Sequence, residues 1–177
     1  MGRAEDDNQK DLDSSHEEVS LYLEPPCPDG DGTDHINVDS SGRTSLGRWL
    51  ALDRKSPIKT EDGLFSSVSG YWYWLETGDD RLRDLHGEEA LSLGLARTRR
   101  LPEDLFFREK VKKALSAKLL TSVGMSERFA LSSLPLDFYS VRGERPTRPE
   151  DGPWILEHLE AERRRLHGEL SAEDREI

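Results

Sequence analysis

Cysteine is nearly missing from this 177-residue chain, and Cys27 is the single example. An intrachain disulfide is therefore excluded, and so is a cysteine-rich zinc site. His86 and His158 have no second histidine or cysteine at ligand spacing and read as surface residues. No apolar run approaches the ~18 residues that a membrane span requires. The N-terminus is acidic and has no hydrophobic segment of the secretory kind, so a cytoplasmic location is expected. Glycine-rich dinucleotide and phosphate-loop motifs are missing, and no internal repeat is found. "DGDGTD" starts like a calcium loop, but Asp34 stands where that loop needs glycine and Ser40 where it needs glutamate. Ser132 and Ser133 lack histidine and aspartate partners within their motif, which argues against a serine hydrolase. Nothing in these patterns calls for a metal or a cofactor.

The charge that is present is unevenly spread. Residues 1–34 hold 11 acids and 2 bases, whereas residues 35–177 hold 25 acids and 23 bases. Most of the net charge of −11 thus belongs to the first segment. With Pro25, Pro26, Pro28 and alternating Asp and Gly, that segment cannot bury enough apolar surface to offset its ordering entropy. It is expected to be a disordered acidic tail, able to contact a basic protein partner. A chain starting at His35 is then expected to fold as cooperatively as the whole. The nearly neutral remainder argues against general nucleic-acid binding. Arginine outnumbers lysine 18 to 7, which fits a GC-rich coding genome and also serves anion recognition.

From His35 onward helices dominate, with two or three short strands, which places the chain in the α+β class. "HINVDS" alternates as a strand, "LGRWLAL" reads as a second extended segment, and "SPIKTEDGLF" reads as a loop. Ser66 or Ser67 can cap a helix through "VSGYWYWLE". "DRLRDL" and "EEALSLGLA" follow as short helical pieces, then a helix opened by Pro102 over about residues 102–120, then a helix in "SERFALSSL". "PLDFYSVRG" reads as a turn and strand, "PTRPEDG" as a loop, and Pro153 as the start of the last helix. One domain is expected over residues 35–168, with a C-terminal tail at 169–177.

The aromatic run is the chemical centre of interest. Val68, Tyr71 or Trp72, and Leu75 form an inward stripe, and Ser69, Tyr73 and Glu76 form a neighbouring polar one. Such a wall either finishes the core or stacks a base and hydrogen-bonds its edges. The succession "SPI…EDGLFSSVSGYWYWLE", "LRDLHGEEALSLGLAR", "VKKALSAKL", "LSSLPLDFY" and "GPWILEHLEAERRRL" is similar to the NADAR superfamily, also called YbiA-like, and most to its bacteriophage branch. The likeness spans about residues 36–167.

That resemblance implies a helix-rich α+β fold and N-glycosidase chemistry on ribosylated compounds, including ADP-ribosylated guanine and a riboflavin-pathway intermediate. A carboxylate is then needed beside the sugar, aromatics for the base and arginines for phosphate. The family's helix glutamate is replaced here by Ser69, its Asn-bearing turn by Ala51, Leu52 and Asp53, and the lysine of its "AK…G" pair by Leu91. The resemblance leaves Asp137, with Ser69, as catalytic candidates, and Glu61, Asp62 or Glu76 as shifted acids. Arg48, Trp72, Tyr73, Glu76, Arg97, Tyr139 and Trp154 are the ligand-binding candidates. The ligand implied is a small nucleotide-like or ADP-ribosylated compound. The rival expectation is a degenerate member that binds, sequesters or docks without hydrolysis.

Overall fold

The computed structural model describes residues 26–97, 106–142 and 145–173. Its centre is a parallel pairing only two residues long, β1 (Ile36–Asn37) on β4 (Leu136–Asp137). Ile36 N–H donates to Pro135 O at 2.9 Å and Val38 N–H to Asp137 O at 2.8 Å, so the two chain halves are joined by backbone. Around this pairing pack α1 (Ser45–Leu50), α2 (Val68–Thr77), α3 (Gly87–Ala96), α4 (Phe107–Leu119), α5 (Val123–Ala130) and α6 (Gly152–Glu173). Two hairpins complete the described residues: β2 (Ile58–Thr60) with β3 (Gly63–Phe65), and β5 (Ser140–Arg142) with β6 (Arg145–Thr147). The core joins Ile36, Val38, Leu50, Phe65, Tyr71 and Ile155 with the inner faces of α4 and α5. The class is α+β, as expected. No helix among the described residues is long and apolar enough to cross a membrane.

Local chemistry explains the elements, including those that differ from expectation. "LGRWLAL" is helical, not extended, because the Thr44 side chain accepts from Gly47 N–H at 2.9 Å and caps α1. "SPIKTEDGLF" is a hairpin, not a loop: Gly63 takes a φ of +117°, and Thr60 Oγ1 donates to Gly63 O across the turn at 3.0 Å. "PTRPEDG" likewise supplies β6. Ser67 caps α2 by accepting from Gly70 N–H at 2.9 Å, and Gly78 ends it in the left-handed conformation. The last helix starts at Gly152, beside the expected Pro153, and runs on to Glu173, so residues 169–173 belong to it. Arg165 pairs there with Glu162 and Glu169 at i,i+3 and i,i+4 spacing. Pro102, expected to open the fourth helix, lies outside the described residues.

Contacts with β1 begin ahead of the expected domain start at His35. Pro28–Gly30 forms a 3-10 turn, and Asp31 behind it is 6% exposed. Its carboxylate accepts Asn37 N–H at 3.0 Å and Arg43 N–H at 2.6 Å. Asn37, itself buried, then accepts Tyr139 N–H on its side-chain oxygen at 3.1 Å. Residues 28–34 therefore clamp β1 in place. Asp31→Ala would strand two backbone donors and should cost about 2–4 kcal/mol in denaturant unfolding. A chain starting at His35 should show a comparable loss, and one starting at Pro26 should not. Equal stability of the full chain and the His35 chain would show that the Asp31 clamp contributes nothing.

Candidate functional site

The α2 helix organises a cleft of about 460 Å³. Ser69, Trp72, Tyr73 and Glu76, at i, i+3, i+4 and i+7, all line it and so share one face of the helix. The opposite face carries Val68 and Tyr71 into the core, both at most 1% exposed. Consecutive aromatics thus divide by helical geometry. Tyr71 is core, Trp72 and Tyr73 are cleft wall, and Trp74 lies outside the cleft with its indole N–H on Asp80 at 3.0 Å. Arg83 packs over the rings of Phe65 and Trp74 at 4.6 and 4.7 Å.

The wall is held from behind. Trp72 stacks on Trp154 at 5.8 Å and 14° and meets Phe107 edge-on at 4.9 Å. Its indole N–H donates to Glu76 Oε1 at 3.0 Å, which orients the carboxyl group of a residue that is 9% exposed. Tyr73 leans on Gly94 of α3, where a Cβ would collide with the ring at 2.3 Å from its Cγ. At Gly70 a Cβ would lie 2.6 Å from Leu82 O, so the helix can approach the Asp80–Arg83 turn only through glycine.

The facing bank comes from Val38, Phe138, Ser140, Arg148 and Asp151. Arg148 holds Asp137 in a fork, Nε to Oδ1 at 2.9 Å and Nη2 to Oδ2 at 2.7 Å, with both side chains 15% exposed. Asp137 Oδ1 also accepts Phe138 N–H at 2.7 Å. Asp137 therefore sits behind Arg148 as its anchor, and the cleft lining includes Arg148 rather than Asp137. Among the described residues, Asp39, Asp53, Glu76, Glu88 and Asp151 give the cleft five carboxyl groups against the Arg148 guanidinium.

The remaining sequence candidates are dispersed. Arg48 donates to Gly42 O and Arg43 O at 2.8 and 2.7 Å, and Arg97 pairs with Asp79 at 3.1 Å. Neither lines the cleft. Tyr139 is 1% exposed with its hydroxyl on His35 Nε2 at 2.8 Å, and burial pushes its pKa up to about 12. Its neighbour Phe138 takes the cleft position. Trp154 backs Trp72 and donates to Asp151 at 2.8 Å. Glu61 and Asp62 lie at the β2–β3 turn, where both pair with Lys110. His158 is half-buried between α4 and α6 on Ser116 Oγ at 3.1 Å, not a surface residue. Among the described residues, no three His, Cys, Asp or Glu side chains gather as metal ligands.

Two features had little sequence signal. Arg148 stands between prolines in what reads as a loop, and only its hairpin brings it to Asp137. Lys118 fits a helical apolar stripe, yet it is a lysine, 1% exposed, whose ammonium donates to Ala51 O. Ala51 itself lines the cleft. Burial lowers the Lys118 pKa to about 7, against a weaker opposing pull from Asp53.

Compared with known proteins, the chain matches no family model and no curated protein. Among solved structures it matches the NMR structure of E. coli YbiA, with a TM-score of 0.50 over 82% of this chain and 94% of that one, at 14% identity. The chain has a YbiA-like fold. The three positions where the resemblance expects polar groups, Leu52, Ser69 and Leu91, come from three separate segments and all line the one cleft.

Two outcomes follow from this geometry. Tyr71→Ala should cost about 3–5 kcal/mol, whereas Trp72→Ala should cost less and remove the fluorescence response to a bound ligand. Equal losses of stability would make the whole aromatic run core. Lys118 titrates from about 7 in the fold toward its ordinary value of 10.5 when unfolded. The unfolded chain therefore binds more protons between these values, and the cost of burying Lys118 fades as pH rises through that window. Lys118→Met should stabilise the chain near pH 7 and below, with the advantage shrinking toward pH 10. A pH-independent difference in denaturation midpoint would contradict this.

Proposed function

We propose that this chain is a divergent NADAR-type protein whose cleft holds a ribosylated base and cleaves its N-glycosidic bond through Glu76. The observation that carries the reading is the single face of α2, on which an aromatic wall and an oriented carboxyl group line the same cleft. As the C1′–N bond breaks, its electron pair leaves with the base and the sugar becomes oxocarbenium-like. A carboxylate beside it stabilises that cation and directs water, which gives its hydroxyl to C1′ and its proton to the base. Trp72 and Tyr73 supply stacking surface, and Arg148, steadied by Asp137, can meet a polar edge. Glu76 stands two helical turns from Ser69 on the same cleft face, so in this reading it takes the part that the resemblance gives to the residue at position 69.

A second reading is favoured by Leu52 and Leu91, which make part of the cleft apolar, and by Ser69, which offers a hydroxyl where the family resemblance expects a carboxylate. In that reading the cleft binds and does not hydrolyse.

Ribonucleosides, nucleotides and ADP-ribosylated guanine, tested for free base by chromatography and for quenching of tryptophan fluorescence, separate the two. Base release by the unmodified chain, lowered ~10²–10⁴-fold in Glu76→Gln with binding kept, is the expected result. Quenching without release would identify a binder, and neither signal with any compound would overturn both readings. Release abolished by Asp137→Asn and unchanged in Glu76→Gln would move the chemistry to Asp137.

A further inference from the structure

Three consecutive carbonyls tie the floor of the cleft to three helices. Ala51, Leu52 and Asp53 all line the cleft, in the turn that follows α1. Leu52 O accepts Ser69 N–H from the first turn of α2 at 2.9 Å, and Asp53 O accepts Gly87 N–H from the start of α3 at 2.9 Å. Ala51 O accepts the ammonium of Lys118, in the last turn of α4. The first two donors are backbone amides, which keep their protons at any ordinary pH. The third is a side chain that can lose one.

Packing alone does not call for an amine at this place. Lys118 is 1% exposed, the one buried cation among the described residues, and it continues the stripe of Val111, Ala114 and Leu115 on α4. Methionine would fill that stripe without the cost of burying a charge. Burial lowers the Lys118 pKa to about 7, with Asp53 pulling it up and Arg54 pushing it down. Charged groups on the other elements around α4 are engaged elsewhere. Glu61 and Asp62 of the β2–β3 hairpin pair with Lys110, Glu162 and His158 of α6 meet Ser116, and Glu76 of α2 accepts the Trp72 indole. An ammonium makes a stronger bond to a carbonyl than a neutral amine does. Loss of the proton therefore weakens one of the three ties and leaves the other two.

We propose that Lys118 is a positioning residue for the cleft, acting through the Ala51 carbonyl: with its proton it holds the Ala51–Asp53 turn in place to seat a ligand, and without it the turn loosens. Lys118 itself touches no ligand in this arrangement, because Ala51 and not Lys118 lines the cleft. The cleft should then grip best on the acid side of neutrality. The identity of the ligand rests on the preceding reading, whereas the coupling of Lys118 to the turn does not.

The test begins with carbon-detected NMR on the full chain without ligand, from about pH 6 to about pH 9. The carbonyl resonances of Ala51, Leu52 and Asp53 should titrate together with a midpoint near 7, and stay flat in Lys118→Met. A shift confined to Ala51 would mean that the amine titrates without moving the turn, which overturns the proposal. His86 adjoins Gly87 and is present in both chains, so a titration that persists in Lys118→Met overturns it as well. Tryptophan quenching by the four ribonucleosides and by ADP-ribosylated guanine is then followed over the same range. Affinity for whichever compound binds should fall about tenfold as pH rises, the difference between a charged and a neutral donor. Lys118→Met should bind at the weak end throughout while unfolding cooperatively. Equal affinity in the two chains, or the same pH profile in both, overturns the positioning role. If none of these compounds binds, the reading of the ligand fails, and the carbonyl titration still decides Lys118.

Discussion

The short backbone pairing of β1 with β4 holds together segments a hundred residues apart, and the rest of the structure is arranged around it. So short a ladder cannot specify its own register, because a slip of one residue would invert every side chain. Side chains do that work instead. Asp31 fixes the backbone of Asn37 from one side, and Asn37 fixes that of Tyr139 from the other. Gly47 admits the Asn37 carbonyl against α1, where any side chain would collide with it. The register so fixed sets Val38 and Phe138 on the cleft and Asp137 behind it, where Arg148 is received.

The cleft is consequently a by-product of packing as much as a site laid upon it. One helix supplies the core with one face and the cleft with another, so its position is fixed by burial of Val68 and Tyr71. Trp72 is immobilised by Trp154 and Phe107 before any ligand arrives, which limits the ordering cost of binding. The acids are spread over five segments of chain and meet only in three dimensions. Lys118 beneath the cleft floor adds a buried amine near Asp53, an expensive placement for a purely structural contact.

The sequence disclosed what depends on local spacing. A cap at Ser66 or Ser67, the divided aromatics and a last helix opening at Pro153 were legible to within a residue, because each follows from a few adjacent residues. Helix α1 was not, because glycine and tryptophan in "LGRWL" weaken its propensity and Gly47 is required by a distant carbonyl. The β2–β3 hairpin hid behind a four-residue polar turn, and Asp31 behind an acidic neighbourhood that resembles a tail. Ser69, Trp72, Tyr73 and Glu76 could be grouped from the sequence because they share one face of a helix, and all four line the cleft. Asp39, Glu88, Arg148 and Asp151 line the same cleft, and no sequence pattern connects them. Arg48, Arg97 and Tyr139 were plausible by residue type, and their partners in the fold occupy them instead.

Tyr73 and Gly94 meet so closely that the ring rests in a slot with no slack. Neither side of that contact can change alone: a larger residue at 94 would drive the ring out, and a smaller one at 73 would leave a gap in the wall. The two positions are therefore free to drift only as a pair. The opposite bank, where Thr147 to Asp151 form a strand end and a loop, is under no such double constraint. Divergence in what the cleft accepts should therefore accumulate on that bank, with the aromatic side acting as the fixed jaw of a vice.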